Sequence, residues 1–149
     1  MTDLNFEDII GRYFNLNLKK DNYRIYVEEA GQGAPLLCLH TAGSDGRQFR
    51  HILNDKRITN NYRVIVFDLP WHGKSNPPEG YELKDYKLTT NLYKEIIMSF
   101  CKQYKLIDPV IMGCSMGGRV VLHLALEHCD YFKAVIHSKV LTNSNLIMI

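Results

Sequence analysis

A serine set between two glycines, in Gly113-Cys114-Ser115-Met116-Gly117, is the segment of this sequence best suited to covalent chemistry. The spacing G-x-S-x-G has a steric reason. A serine on a tight turn between a strand and a helix takes a strained backbone conformation that pushes its hydroxyl out of the fold. Side chains two positions either side would collide where strand and helix cross, so glycine is needed there. The flanking sequence supplies that setting. Pro109-Val110-Ile111-Met112 reads as a buried strand ahead of the serine, and residues 117–128 read as a helix with few polar residues behind it. A helix starting there also points backbone N–H groups at the serine.

Two further segments have chemical potential only in company. Leu39-His40-Thr41-Ala42-Gly43-Ser44 ends another buried run. In a parallel sheet its loop lies beside the serine turn if the two strands are neighbours, and it can offer a backbone N–H to a developing oxyanion. Asp68-Leu69-Pro70-Trp71-His72-Gly73-Lys74-Ser75 contains Gly-Lys-Ser, but a phosphate loop needs a glycine five residues before Gly73, where Asp68 stands. Pro70 would also remove a donor from such a cradle. The segment reads instead as a shaped turn, with Asp68 bonding nearby backbone N–H groups and Gly73 supplying an unusual dihedral.

The elements that must position these segments follow from periodicity. Residues 5–14 are expected to form a short helix with Phe6, Ile9, Ile10 and Phe14 on one face. Residues 15–19 and 23–29 alternate polar and apolar around Asp21-Asn22, which predicts an antiparallel hairpin. Continuous apolar runs at 35–39, 64–67, 109–112 and 132–136 read as strands covered on both faces. Helical spacing marks residues 45–57, 86–104 and 117–128, the second with Leu92, Ile96, Phe100 and Tyr104 at four-residue intervals. Strands alternating with helices after a hairpin predict an α/β fold: a mostly parallel sheet wrapped by helices, with an N-terminal antiparallel hairpin. No repeat, low-complexity tract or linker divides the chain, so residues 1–149 read as part of a single domain.

Composition narrows the function classes. The chain has 149 residues, 46% of them hydrophobic, which suffices for an independent core and excludes intrinsic disorder. Eighteen Lys and Arg against 16 Asp and Glu leave a net charge of +2, too small a footprint to expect nucleic acid or an anionic membrane as partner. No apolar run approaches the roughly 20 residues of a membrane span, and the polar, acidic start carries no secretory signal. Cys38, Cys101, Cys114 and Cys129 form no C-x-x-C pair and are expected to be reduced, which makes a cytoplasmic setting the default. No His or Cys pair has metal-ligand spacing in a supporting context, and no metal or other cofactor is expected.

Together the three segments resemble the α/β-hydrolase superfamily. Its hallmarks are an oxyanion loop after the third strand, a D-x-P-G-x-G-x-S turn after the fourth and the serine elbow after the fifth. Here these correspond in order to residues 40–43, 68–75 and 113–117, and the likeness covers residues 11 to about 136. The resemblance implies that Ser115 is the nucleophile, that Met116 and Ala42 give the oxyanion N–H groups, and that Gly113, Gly117, His40 and Gly43 support the elbow and loop. It also implies a small-molecule substrate, an ester or related acyl compound. Thr41 and Trp71 stand where the family usually has glycine.

The rest of the expected machinery does not follow. A serine needs a base, usually a histidine held by a carboxylate, and in this superfamily acid and histidine come after the serine. His123 lies eight residues along the elbow helix, about 12 Å from its start, and His128 lies further still. His137 ends the next strand, and Glu127 and Asp130 lie on or just beyond the helix. Residues 137–149 match no feature of the superfamily and are expected to be a divergent tail on a core whose last strands are missing. The expectation is a serine hydrolase impaired by the absence of acid and histidine. The alternative is a non-catalytic fragment, binding or self-associating through an open sheet edge at residues 132–136.

Overall fold

The computed structural model of the chain describes residues 6–83, 85, 87–138 and 146–148. Its centre is a seven-stranded sheet in the order β1-β2-β4-β3-β5-β6-β7. The strands are β1 (Ile10–Leu18), β2 (Asp21–Ala30), β3 (Ala34–Leu39), β4 (Tyr62–Phe67), β5 (Val110–Cys114), β6 (Ala134–Ser138) and β7 (Leu146–Met148). Strands β3, β4, β5 and β6 are mutually parallel; β1, β2 and β7 run antiparallel to their neighbours. The α-helices are α1 (Arg50–Asn54), α2 (Lys56–Thr59), α3 (Thr90–Gln103) and α4 (Met116–Glu127). This is the α/β architecture expected, with the antiparallel hairpin in its expected place.

The parallel strands are apolar on both faces because both faces are covered. Leu37, Leu39, Ile65, Phe67 and Ile111 pack with Ile96, Ile97 and Phe100 of α3 and Val121 and Leu124 of α4. The alternate residues Leu36, Cys38, Val64, Val66, Val110 and Cys114 pack against Phe49 and Leu53 on the opposite side. Cys38, Cys101 and Cys114 are buried thiols that fill space as small hydrophobes, and burial pushes the Cys101 thiol up to about 12. Among the described residues no helix is long and apolar enough to cross a membrane.

Four expectations are corrected. Residues 5–14 are not a helix: Ile10 onward is strand, paired from Ile10↔Glu29 to Leu18↔Asp21. The helical face would have needed a surface to bury it, yet Phe6 and Ile10 are 80% and 54% exposed, while Phe14 packs edge-on against Phe100 and Tyr104. The hairpin turns at Lys19-Lys20 rather than Asp21-Asn22, with Lys19 at φ 56. The helix expected over 45–57 is broken into a 3-10 turn (Gly46–Phe49), α1 and α2, because Asp55 is extended and its carboxylate accepts the Arg57 N–H to start a new helix. The edge expected to be open at residues 132–136 is paired: β6 begins at Ala134 and β7 lies antiparallel against it, Ile136↔Met148 to Ser138↔Leu146. That strand comes from the segment expected to be a divergent tail, of which residues 139–145 and 149 lie outside the described residues.

Candidate active site

Ser115 alone joins β5 to α4, at φ 50 and ψ −107. A non-glycine residue at positive φ is uncommon, and one this far from the left-handed helical well is held there by its surroundings. Its N–H donates to the Ser138 carbonyl at 3.0 Å, and its own carbonyl accepts the Arg119 N–H at 2.8 Å. A Cβ on Gly113 would collide with the Gly117 carbonyl, and one on Gly117 would lie 2.5 Å from the Leu39 oxygen and 2.9 Å from the His40 oxygen. Both glycines are therefore required by the crossing, as their spacing predicted. Ser115 is also the N-cap of α4, yet its side chain makes no capping hydrogen bond. A serine at that position ordinarily spends its oxygen on the helix N–H groups. Here the hydroxyl is exposed, and its oxygen is bonded to none of the described residues.

The loop after β3 lies against this turn, since Leu39 pairs with Gly113. His40 is fully buried, with Nδ1 2.8 Å from the Thr41 carbonyl and Nε2 3.1 Å from the Leu69 N–H. Leu69 can only donate, so Nε2 accepts and Nδ1 carries the proton. Burial holds the ring's pKa below its ordinary value, which keeps it neutral. His40 thus ties the loop to the turn after β4. Thr41 and Ala42 have ordinary negative φ, so this backbone does not require the glycine usual at position 41; the positive φ of 67 falls on Gly43. The Thr41 N–H donates to Gln48 Oε1 at 2.9 Å, whereas the Ala42 N–H, on an exposed residue, has no acceptor among the described residues. The Met116 N–H, in the first turn of α4, has no intrahelical acceptor.

The turn after β4 is held by Asp68. One carboxylate oxygen accepts the Gly46 N–H at 2.7 Å and the other the Lys74 N–H at 2.8 Å. The Asp68 carbonyl accepts the Ser75 hydroxyl at 2.6 Å, and Ser75 Oγ in turn accepts the Tyr26 N–H at 2.8 Å. Gly73, at φ 51, leaves no room for a Cβ beside the Asp68 carboxylate. The N–H groups of Gly46 and Lys74 are thus occupied by a carboxylate of the chain itself, as a shaped turn requires. Trp71 stands at φ 69, where glycine would be unstrained.

The later histidines and acids do not gather at Ser115. Glu127 pairs with Lys94 at 2.6 Å, which draws its carboxyl below the usual range. Asp130 is exposed and accepts from Cys129. The His137 ring packs over Gly118, and His123 lies along α4. Among the described residues no group of three His, Cys, Asp or Glu is placed to hold a metal ion. Gln48, which fixes the loop after β3 through Thr41, was not legible in sequence, because a lone glutamine seven residues downstream carries no spacing signal.

Comparison with known proteins agrees with this fold. Residues 34–147 match a family described as the alpha/beta hydrolase fold. The chain is 27% identical over 112 residues to a pimeloyl-[acyl-carrier protein] methyl ester esterase of Vibrio vulnificus, covering 75% of this chain and 39% of that protein. It is 33% identical over 95 residues to a magnesium-chelatase 30 kDa subunit of Rhodobacter capsulatus, covering 64% and 31%. Among solved structures, an epoxide hydrolase from Vigna radiata superimposes with a TM-score of 0.71 at 21% identity, over 86% of this chain and 39% of that one. The chain therefore spans about a third to two fifths of the length of these relatives.

Proposed function

The chain belongs to the α/β-hydrolase family, and on that premise we propose that it carries the nucleophile half of a serine hydrolase site for carboxylic esters or related acyl bonds. Ser115 Oγ attacks the carbonyl carbon of a small-molecule ester, and the carbonyl oxygen takes up negative charge that the Met116 and Ala42 N–H groups stabilise by donating hydrogen bonds to it. Collapse of that intermediate expels the alcohol and leaves an acyl-serine, which water then hydrolyses. The observation that carries this reading is the exposed, uncapped hydroxyl of Ser115 on a backbone held at φ 50. The esterase among the relatives agrees with it.

The proton of Ser115 needs an acceptor. No described histidine hydrogen-bonds Ser115 Oγ, and the later acids are spent on Lys94 and Cys129. We therefore expect the 149-residue chain alone to acylate slowly, with residues 1–149 forming the front part of a hydrolase domain. The same observation favours the second reading, a non-catalytic binding module. Hydrolysis of p-nitrophenyl acetate, together with mass spectrometry after a fluorophosphonate, separates the two. A slow reaction and an adduct on Ser115, both lost in Ser115→Ala, are expected; equal rates in the two proteins and no adduct support the binding module.

A further inference from the structure

Strand β1 lies at one edge of the sheet, pairs with β2 on one side and meets no strand on the other among the described residues. Along an antiparallel strand the peptide groups point alternately towards and away from the partner. Those of Asn17 point away from β2. Its N–H donates to Gln103 Oε1 at 3.1 Å, and its carbonyl accepts Gln103 Nε2 at 2.6 Å and the Ser99 hydroxyl at 3.0 Å. The Gln103 carboxamide thus takes the place of a further strand's peptide unit and closes that end of the edge. The β1–β2 register runs one to one, so Gly11, Tyr13 and Asn15 share the outward direction. All three are exposed, and their outward N–H and carbonyl groups have no partner among the described residues. Residues just before β1 lead the other way, Asp8 to Lys56 of α2 and Ile9 to the cluster around Leu53.

Long edge strands are ordinarily blunted by proline, lysine or a bulge. The sequence of β1, Ile-Gly-Arg-Tyr-Phe-Asn-Leu-Asn-Leu, carries neither proline nor lysine, and its single charge, Arg12, is paired with Glu29 at 3.0 Å. The open stretch is complementary to itself. When a second β1 runs antiparallel with Tyr13 opposite Tyr13, Gly11 lies opposite Asn15, and every open N–H faces an open carbonyl. We propose that β1 joins a second copy of this chain in that register, making one continuous sheet across a two-fold axis at Tyr13. A slide of two residues either way sets an open residue against the closed Asn17 or against Ile9, which precedes the strand. The same register places Arg12 opposite Phe14 of the copy, so no like charges meet. The two Gln103 clamps fall at opposite ends of the joined strands. None of this depends on Ser115.

Sedimentation velocity of the 149-residue chain, from about 5 to about 500 μM, tests the interface. The apparent mass is expected to double across that range. Asn15→Pro removes an outward N–H that meets only water in the monomer, a place where an edge strand tolerates proline. It is expected to weaken the dimer about tenfold with the circular-dichroism spectrum unchanged. Tyr13→Glu and Tyr13→Lys are each expected to stay monomeric, because like charges then meet on the axis, whereas an equimolar mixture of the two dimerises. Fold damage cannot produce that rescue, so the mixture decides even where Asn15→Pro misfolds. Leu126→Lys, on the exposed side of α4, is expected to leave the dimer intact. A chain that stays monomeric throughout, a dimer that survives Asn15→Pro and both Tyr13 variants, a mixture no more associated than its parts, or a dimer lost in Leu126→Lys overturns the β1 interface.

Discussion

The elbow where β5 meets α4, with the loop after β3, contrasts with the far end of α4 and the approach to β6. At the elbow, main-chain atoms nearly touch: a Cβ on Gly117 would come within 2.9 Å of two carbonyl oxygens of the neighbouring loop. Ser115 keeps its hydroxyl uncommitted, and the Ala42 N–H is left without an acceptor among the described residues. At the far end of α4 the polar side chains are spent on one another, Glu127 on Lys94 and Cys129 on Asp130. An uncommitted hydroxyl beside open N–H groups can be built from the crossing of adjacent backbones. A histidine–carboxylate pair has to be assembled from side chains that converge from separate parts of a chain.

The sharpest way to break this contrast is at the glycines. Gly117→Ala forces a Cβ onto carbonyl oxygens that cannot move without parting β3 from the elbow, and should cost about 3 kcal/mol or more in urea unfolding. Gly43→Ala, with nothing within 4 Å, bears only its positive φ of 67 and should cost about 1–2 kcal/mol. Equal costs would show that the elbow is not locked by contact. Asp68→Asn removes the charge behind two backbone hydrogen bonds and should cost about 2 kcal/mol, by the same measurement.

A smaller effect is expected from pH. His40 is held below its ordinary pKa of 6.5 by burial, so the unfolded chain takes up a proton first as pH falls. That contribution to stability is complete above about pH 6.5 and declines below it. His72, with its ring 5.1 Å away, and the carboxylates of Asp45 and Asp68 act on the same ring. Thermal melting between pH 7.5 and 5.5 should show a fall in Tm that is reduced in His40→Gln. The smallest effects belong to the other region: Glu127→Gln and His123→Ala should leave p-nitrophenyl acetate hydrolysis unchanged. A loss of rate in either would place that residue in the chemistry and erase the contrast.

The elements that position the site were legible wherever the pattern was strictly local. The buried runs around Leu37, Ile65 and Ile111 became parallel strands, and Gly113 and Gly117 stand at the two contacts that exclude a Cβ. The N-terminal segment was misread because Phe6, Ile9, Ile10 and Phe14 share a helical spacing that only a packing surface could have realised, and β2 offered backbone pairing instead. The glycine expected by resemblance at position 41 is not required, whereas the tryptophan at position 71 is held at φ 69; nothing in the two residue types distinguishes those cases.

By itself the sequence determined the α/β order, the elbow and the turn around Asp68, because glycine spacing, apolar runs and short-range hydrogen bonding act between near neighbours in the chain. Only the tertiary structure decided which groups meet across it. Gln48 holds the loop of Ala42, His40 bridges to Leu69, β7 pairs with β6, and Trp71 meets Tyr81 at a right angle. Those contacts depend on where separate segments are brought together in three dimensions, and no periodicity along a single strand or helix encodes that.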